Sequence, residues 1–183
     1  MTMIDLGRPE SGDVIDLIIE DHRRFEALLR DLRNSESDRE RVRAAFSALH
    51  VAHAEAEEKY VYPALRRKTS VDAEEVDHGA EEHAEGNEAL LALLECSGTD
   101  TQKFEDALEK LAELVNHHLT EEELTILNPA REDVGESTRL ELGAKFATER
   151  NRQIDNDCGN LDNVRRIVQE ARAEGLLDDS EGP

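Results

Sequence analysis

The sequence predicts an all-α protein, an antiparallel up-down four-helix bundle followed by a C-terminal helical extension. Four long stretches carry apolar residues at spacings of three and four, which is the periodicity of an amphipathic helix. Short polar or glycine-containing segments separate these stretches. Aromatic residues make up only 3% of the chain and tryptophan is absent, so the core has to be built from aliphatic side chains.

The first two helices of the predicted bundle follow the leader sequence. Asp13 offers an N-cap for a helix over residues 14–32. The second helix is expected over residues 38–62, and Pro63 should end it or kink it. The predicted core faces of these two helices carry Ile15, Ile18, His22, Phe25, Leu29, Leu32, Val42, Phe46, Leu49, His53, Glu57 and Tyr60.

The third and fourth helices are expected over residues 72–95 and 100–127. Gly79 and Gly86 weaken the third helix, because a glycine inside a helix costs about 1 kcal/mol relative to alanine. Asn128 and Pro129 are expected to close the fourth. The core faces carry Val76, Ala80, His83, Asn87, Leu90, Leu94, Phe104, Leu108, Leu111, Val115, His118, Glu122 and Ile126.

The chain is expected to divide into three parts. Residues 1–13 form a flexible leader, residues 14–129 form the bundle, and residues 130–183 form a helical appendage. Two further helices are predicted in the appendage, over residues 137–154 and 160–177. This last part is too short to bury its own core easily, so it should pack on the bundle.

The net charge of −22 bears on the partners of the protein. Nucleic acid and anionic membranes are disfavoured because no basic stripe is visible. The sequence also lacks an apolar run of membrane-spanning length and a secretory signal, and its two cysteines make no disulfide framework. A cytoplasmic protein is therefore expected.

Four of the seven histidines lie on the predicted core faces, one on each helix of the bundle. His53 and His118 are each followed four residues later by a glutamate on the same face, Glu57 and Glu122. Burying two carboxylates without a compensating charge costs several kcal/mol each, to an order of magnitude. A pair of divalent or trivalent cations would supply that charge. Mixed nitrogen and oxygen ligands suit iron, and also zinc or manganese.

Several segments together resemble the hemerythrin-like (HHE cation-binding) family over residues 14–129. They are EDHRRFEALL (20–29), HAEAEEKYVYPAL (53–65), EEHAEGNEALLALL (81–94) and HLTEEELTILNP (118–129). The resemblance implies a non-haem site with two iron ions, joined by an oxo or hydroxo bridge. Zinc or manganese are less favoured. The implied ligands are His22, His53, Glu57, His83, His118 and Glu122.

One feature departs from the oxygen-carrying members of this family, which have two histidines four residues apart on the third helix. Here Gly79 and Asn87 occupy the positions four residues from His83. Each iron would then keep only two histidines and an open position. Such a site suits reaction with oxygen, peroxide or nitric oxide, or sensing, better than reversible oxygen carriage.

Other candidates are weaker. His117 and Glu121 form an alternative fourth-helix pair, but Leu111 and Val115 favour the register of His118. His50 and His78 are expected at the surface. Tyr60 and Asn87 are expected beside the ligands, and Tyr62 is expected to point elsewhere. Cys96 and Cys158 receive no role, and no catalytic residue is predicted.

The sequence favours a di-iron protein that handles oxygen, peroxide or nitric oxide in stress defence, such as a peroxidase- or catalase-like enzyme. An iron- or oxygen-sensing protein that signals through its C-terminal helices is the alternative. A metal-free acidic bundle that serves as an interaction module is the third reading.

Overall fold

A computed structural model describes residues 4–68 and 71–177 of the chain. Residues 1–3 and 178–183, which belong to the predicted leader and appendage, lie outside the described residues. Every regular element of the described part is helical, which confirms the all-α prediction. The α-helices are α1 (Val14–Arg33), α2 (Arg39–Ala56), α3 (Tyr62–Leu65), α4 (Ala73–Leu94), α5 (Gln102–Glu122), α6 (Asn128–Asp133), α7 (Glu136–Asp155) and α8 (Leu161–Ala173).

Five of the eight described α-helices begin where a side chain accepts a hydrogen bond from the first turn. The Asp13 carboxylate accepts from the amide of Ile15 at 3.0 Å, as the sequence predicts. The same kind of cap starts four other helices, because the first N–H groups of a helix have no partner within it. These caps are Asp38, Asp72, Thr101 and Asn160.

Two π-helical segments, Glu57–Val61 and Glu123–Leu127, join α2 to α3 and α5 to α6. Pro63 does not end the helical course of the second helix, so only the alternative of a kink is left for it. The prediction that Asn128 and Pro129 close the fourth helix is wrong. The chain stays helical to Leu65 after Pro63 and to Asp133 after Pro129. Each proline lies in the first turn of a new α-helical stretch, where its missing N–H has no intrahelical partner to lose.

The packing places a polar layer between two apolar clusters. α1 contacts α2 and α5, and α4 contacts the same two helices, while α7 lies on α1 and α2 and α8 lies on α4. Along α1, Ile18 belongs to one apolar cluster and Phe25 to the other, with buried His22 between them. None of the helices in residues 4–68 and 71–177 is long and apolar enough to cross a membrane.

Candidate metal centre

The six residues predicted as metal ligands are all buried and lie close together. His22 comes from α1, His53 from α2 and His83 from α4, and His118 and Glu122 come from α5. Glu57 is the first residue of the π segment after α2. They form two overlapping groups in which the ligand atoms lie within 4.8 Å of one another: His22, His53, Glu57 and Glu122 in one, and Glu57, His83 and His118 in the other.

The two glutamates lie between the imidazoles of His22 and His53 on one side and those of His83 and His118 on the other. Glu57 Oε2 lies 3.2 Å from His53 Nε2 and 3.2 Å from His83 Nε2. Glu122 Oε2 lies 3.1 Å from His22 Nε2 and 3.8 Å from His118 Nε2. Glu57 therefore faces one imidazole of α2 and one of α4, while Glu122 faces one of α1 and one of α5.

The atoms that face this centre lack hydrogen-bond partners among the described residues. They are His22 Nε2, His53 Nε2, His83 Nε2, His118 Nε2, Glu57 Oε1, Glu57 Oε2 and Glu122 Oε2. Leaving buried polar atoms unpaired is unfavourable, and such groups are rare in folded proteins. Four imidazole nitrogens and carboxylate oxygens that converge in this way fit a cation with mixed nitrogen and oxygen ligands. The residues present therefore suit the metal that the sequence predicts.

The outward nitrogen of every imidazole meets a carboxylate from the neighbouring helix or its π segment. Asp21 Oδ2 lies 3.2 Å from His53 Nδ1, and the other three pairs are each 2.8 Å apart. Those three pairs are Glu58 with His83, Glu82 with His118, and Glu123 with His22. In each contact one helix, or the π segment after it, supplies the carboxylate and the next helix supplies the histidine. The contacts run in this sense from α1 to α2, from α2 to α4, from α4 to α5 and from α5 back to α1. We call these four pairs the carboxylate ring.

Sequence reasoning missed the four acidic members of the carboxylate ring. A signal for them does exist, because each one is adjacent in sequence to a predicted ligand. Asp21 and Glu82 directly precede His22 and His83, while Glu58 and Glu123 directly follow Glu57 and Glu122. An acidic residue beside a ligand lies about 100° round the helix, so it faces the next helix rather than the centre.

The electrostatics of the centre reflect burial and opposite charges at close range. Burial alone lowers the pKa of His53, but the charge of Glu57 and the hydrogen bond to Asp21 outweigh it and raise the pKa to about 9. The pKa values of His22 and His83 are also raised despite burial, through contacts with their glutamates. Burial opposes ionisation of Glu57, yet the neighbouring imidazoles keep its pKa well below the usual value.

Tyr62 lies at the centre, so the prediction that it points elsewhere is wrong. Its hydroxyl donates a hydrogen bond to Glu122 Oε1 at 2.9 Å, and its ring stacks on His83 with centroids 5.4 Å apart. Burial and the charges of Glu122 and Glu57 raise the pKa of the phenol well above its usual value. The π segment explains the difference, because its i→i+5 hydrogen bond from Tyr62 N to Glu57 O adds a residue to the turn.

Tyr60, which an uninterrupted α-helix would bring near the centre, is partly exposed. The Lys59 ammonium lies 5.2 Å from the centroid of its ring. Gly79 makes room for the tyrosine that does reach the centre, since a Cβ at that position would lie 2.9 Å from Tyr62 Oη. The glycine that weakens the predicted helix thus allows the Tyr62 hydroxyl to lie close to α4.

His50 is buried, which corrects the expectation of a surface position. Its ring stacks on that of Phe46, with 5.7 Å between the centroids, and meets the ring of Phe25 edge-on at 5.9 Å. Burial, with repulsion from nearby imidazoles, lowers the pKa of His50 to about 3. Asn87 is buried as well. Gly86 leaves space for the His50 ring, because a Cβ at position 86 would lie 3.1 Å from His50 Nε2.

The remaining histidines are exposed. His78 is exposed, as expected. His117 is also exposed, and Glu121 is only partly buried, whereas His118 and Glu122 are buried. The structure thus brings His118 and Glu122 to the centre, and His117 approaches it only through Glu82 Oε1, at 3.3 Å.

Comparisons with known proteins bear on the same region. The family model of the hemerythrin HHE cation binding domain matches residues 13–129. A curated protein named DNA nickase, from Nostoc sp. (strain PCC 7120 / SAG 25.82 / UTEX 2576), is 26% identical over 138 residues. That match covers 73% of this chain but only 38% of the Nostoc protein. No solved structure matches the chain significantly.

Proposed function

Because the chain belongs to the hemerythrin HHE cation-binding family, we propose that it is a non-haem di-iron protein that binds or reacts with oxygen, peroxide or nitric oxide. The observation that carries the proposal is the convergence of four unpaired imidazole nitrogens on two buried carboxylates. Oxidative or nitrosative stress defence is the role that such reactivity would serve. The antiparallel up-down arrangement of α1, α2, α4 and α5 is part of the proposal.

In this proposal each ion takes one pair of imidazoles and shares the two carboxylates. His22 and His53 would hold one ion, and His83 and His118 the other. Glu57 and Glu122 would bridge them, since each lies between the two pairs. Iron is favoured over zinc or manganese by the family resemblance, and bound iron would supply the electron exchange that these small molecules require.

The residues of the chain prepare this centre in two ways. The carboxylate ring holds each imidazole with Nδ1 outward and Nε2 inward, which fixes its orientation and raises its basicity as a ligand. The Tyr62 hydroxyl donates a hydrogen bond to Glu122 Oε1, which leaves Oε2 as the oxygen of that carboxylate that faces the imidazoles. Burial of all six candidate ligands also excludes water from the centre.

The number of histidines supports reaction rather than reversible carriage. Each pair offers two imidazoles, and the third-helix positions of an additional ligand are held by Gly79 and Asn87. The Tyr62 ring fills the space beside Gly79. Fewer protein ligands leave coordination positions for a small molecule, as in catalytic metal sites generally.

A sensor is the second candidate function, and one observation favours it. Arg150 of α7 binds Asp21, and Asp21 contacts His53. A change in the position of His53 would therefore alter the contacts of the C-terminal helices. Turnover of hydrogen peroxide by the iron-loaded protein distinguishes the two, since an enzyme consumes peroxide catalytically and a sensor does not.

Metal analysis of the purified protein tests the proposal directly. About two irons per chain, with visible absorption under air, are expected for the wild type. Glu122→Ala should lose most of this metal, while Glu121→Ala, which changes the neighbouring partly buried glutamate, should keep it. Less than one metal per wild-type chain after reconstitution with ferrous iron would exclude the di-iron proposal.

A further inference from the structure

Arg150 of α7 is a charged side chain with no exposed surface, and it binds an acidic residue of α1. Its Nε lies 2.6 Å from Asp21 Oδ2 and its Nη2 lies 2.7 Å from Asp21 Oδ1. Asp21 is itself 1% exposed. This is the two-point geometry in which an arginine fixes the plane of a carboxylate as well as neutralising its charge.

The other donors of the guanidinium are also used. Nη2 donates to the carbonyl of Leu6 at 2.6 Å, and Nη1 donates to the carbonyl of Gly7 at 3.1 Å and to Asn151 Oδ1 at 3.2 Å. Arg150 is therefore held from three directions, by α1, by α7 and by the segment before α1. A side chain held in this way has little freedom to let Asp21 rotate.

Asp21 passes this constraint to the metal centre. Its Oδ2, which accepts from Arg150 Nε, also lies 3.2 Å from His53 Nδ1. One helical turn before Arg150, the ring of Phe146 meets the ring of His53 edge-on, with centroids 5.6 Å apart. α7 therefore acts on His53 through both a polar contact and an apolar one.

We propose that Arg150 is a positioning residue of the metal centre, which holds Asp21 so that His53 presents Nε2 to the metal. The inference rests on the proposed function, and it extends the centre beyond residues 13–129, which the family model matches. In this proposal α7 contributes to the geometry of the metal centre and does not only pack against the neighbouring helices.

Within residues 4–68 and 71–177, the other members of the carboxylate ring have no buried arginine bound to them. The side chains of Glu58 and Glu123 are 45% and 28% exposed, and the arginine that binds Glu123, Arg23, is 52% exposed. Glu82 is buried, but the ionic contacts of its carboxylate are with His78, His117 and His118. Asp21 thus combines deep burial with a fully buried cation, so the ion held by His22 and His53 should depend on α7 more than its neighbour does.

The test compares Arg150→Met with Arg139→Met. Arg139 is also on α7 and also binds an aspartate, Asp13 at the start of α1, at 2.7 Å. Unlike Asp21, the Asp13 side chain contacts no histidine in the described part of the chain. Nitrogen-15 NMR of the imidazoles in the metal-free protein reports the tautomer and hydrogen bonding of each histidine. The His53 resonances should shift in Arg150→Met and stay in place in Arg139→Met, while those of His83 and His118 stay in place in both.

Zinc titration against a chelator gives the second measurement, with zinc as the probe. Arg150→Met should weaken one of two zinc sites by about 10–100-fold, the usual effect of losing a residue that orients a ligand. Arg150→Lys keeps the charge without the two-point geometry, so it should recover only part of the affinity. Arg139→Met should bind like the wild type.

Several results would overturn the inference. Unshifted His53 resonances together with wild-type zinc affinity in Arg150→Met would show that Arg150 only supports the fold. If that variant does not fold, Arg150→Lys and Asp21→Asn take its place, and wild-type resonances and affinity in both would have the same meaning. Failure of the wild type to bind metal would remove the proposed function, while the His53 resonances would still decide whether Arg150 positions that imidazole.

Discussion

The two nitrogens of each imidazole in the centre face different surroundings. Nδ1 meets a carboxylate of the carboxylate ring, and Nε2 faces Glu57 or Glu122. Without a metal, the surroundings of His22, His53 and His83 raise the pKa of these three rings and favour their imidazolium form. A metal needs the neutral ring, so protons and metal compete for the same Nε2 atoms.

Metal uptake should therefore release protons at neutral pH. His53 has a pKa of about 9 in the metal-free protein, so at pH 7 it is protonated and has to lose its proton to bind a cation. Affinity should rise as pH increases toward 9 and fall as pH decreases. Calorimetric titration with zinc at pH 7 in two buffers of different ionisation enthalpy measures the protons released. An identical heat in both buffers would contradict this prediction.

Replacing Tyr62 by phenylalanine should destabilise the protein, although the ring remains. The change removes the hydrogen bond to buried Glu122, and hydrogen bonds to charged groups contribute about 1.5–3 kcal/mol. Urea unfolding of the metal-free variant should show a loss of that order.

Tyr60→Phe is the matched control for this experiment. Tyr60 is partly exposed, and its ring contact with Lys59 survives the change, so the loss should stay within about 0.5 kcal/mol. An equal effect of the two substitutions would mean that the Tyr62 hydroxyl has no special role.

Residue spacing was enough to find the six candidate ligands, because a buried histidine or glutamate on an apolar helix face stands out from its neighbours. It could not assign Asp21 or Glu58, since an acidic residue next to a ligand also reads as part of a solvated helix face. It placed Tyr60 rather than Tyr62 at the centre because an uninterrupted α-helix was assumed. The sequence carries no recognised signal for an i→i+5 hydrogen bond.

At the scale of the elements, the two halves of the bundle repeat the same local design. In each, a histidine lies near the end of an α-helix, and a glutamate four residues later lies at the junction with a π segment. A proline follows in the next turn. π segments interrupt helices most often at functional sites. Caps and periodicity predicted the start of each helix well. The ends after Pro63 and Pro129 were harder to predict, because each proline follows a π segment and lies in the first turn of a new α-helical stretch.

The close approach of α7 to the start of α1 depends on a glycine. A Cβ at Gly143 would lie 1.8 Å from the carbonyl oxygen of Gly12, which is backbone and cannot rotate away. Gly143→Ala should therefore lower the free energy of unfolding by about 1–3 kcal/mol, as overpacking usually does. Urea unfolding midpoints measure the effect.

Gly135→Ala provides the comparison on the same helix. Position 135 is the N-cap of α7, and a Cβ there would meet open space, so the loss should not exceed about 1 kcal/mol. If Gly143→Ala were as well tolerated as Gly135→Ala, the contact between α7 and residue 12 would not constrain the fold.

At the scale of the whole molecule, the turn between α7 and α8 is fixed against α2. The Ser47 hydroxyl donates to the carbonyl of Gly159 at 2.7 Å, and the Cys158 thiol donates to the carbonyl of Ala48 at 3.3 Å. A Cβ at Gly159 would lie 2.4 Å from the Ala48 amide nitrogen. The turn between the last two helices thus packs closely on α2. The predicted division of the chain into three parts stays a prediction.

The thiol of Cys158 should report whether this packing opens. Burial raises its pKa to about 12, so at pH 8 the reactive thiolate is roughly 1,000-fold rarer than for an ordinary cysteine. Alkylation by iodoacetamide at pH 8, followed by mass spectrometry, should be slower than in urea by a factor of that order. Labelling of the folded protein at the unfolded rate would show that residues 136–177 detach readily.

The carboxylate ring has a mechanical consequence for the four helices that it joins. α1 and α4 supply their carboxylates directly, while α2 and α5 supply theirs from the π segments that follow them. Each of the four helices therefore contacts one neighbour through its carboxylate and the other through its histidine, so the contacts form a closed loop. A rotation of α1 about its axis would pull Asp21 from His53 and His22 from Glu123 at once. The loop therefore resists sliding or rolling of a single helix, and the helices should loosen together as one interlocked unit.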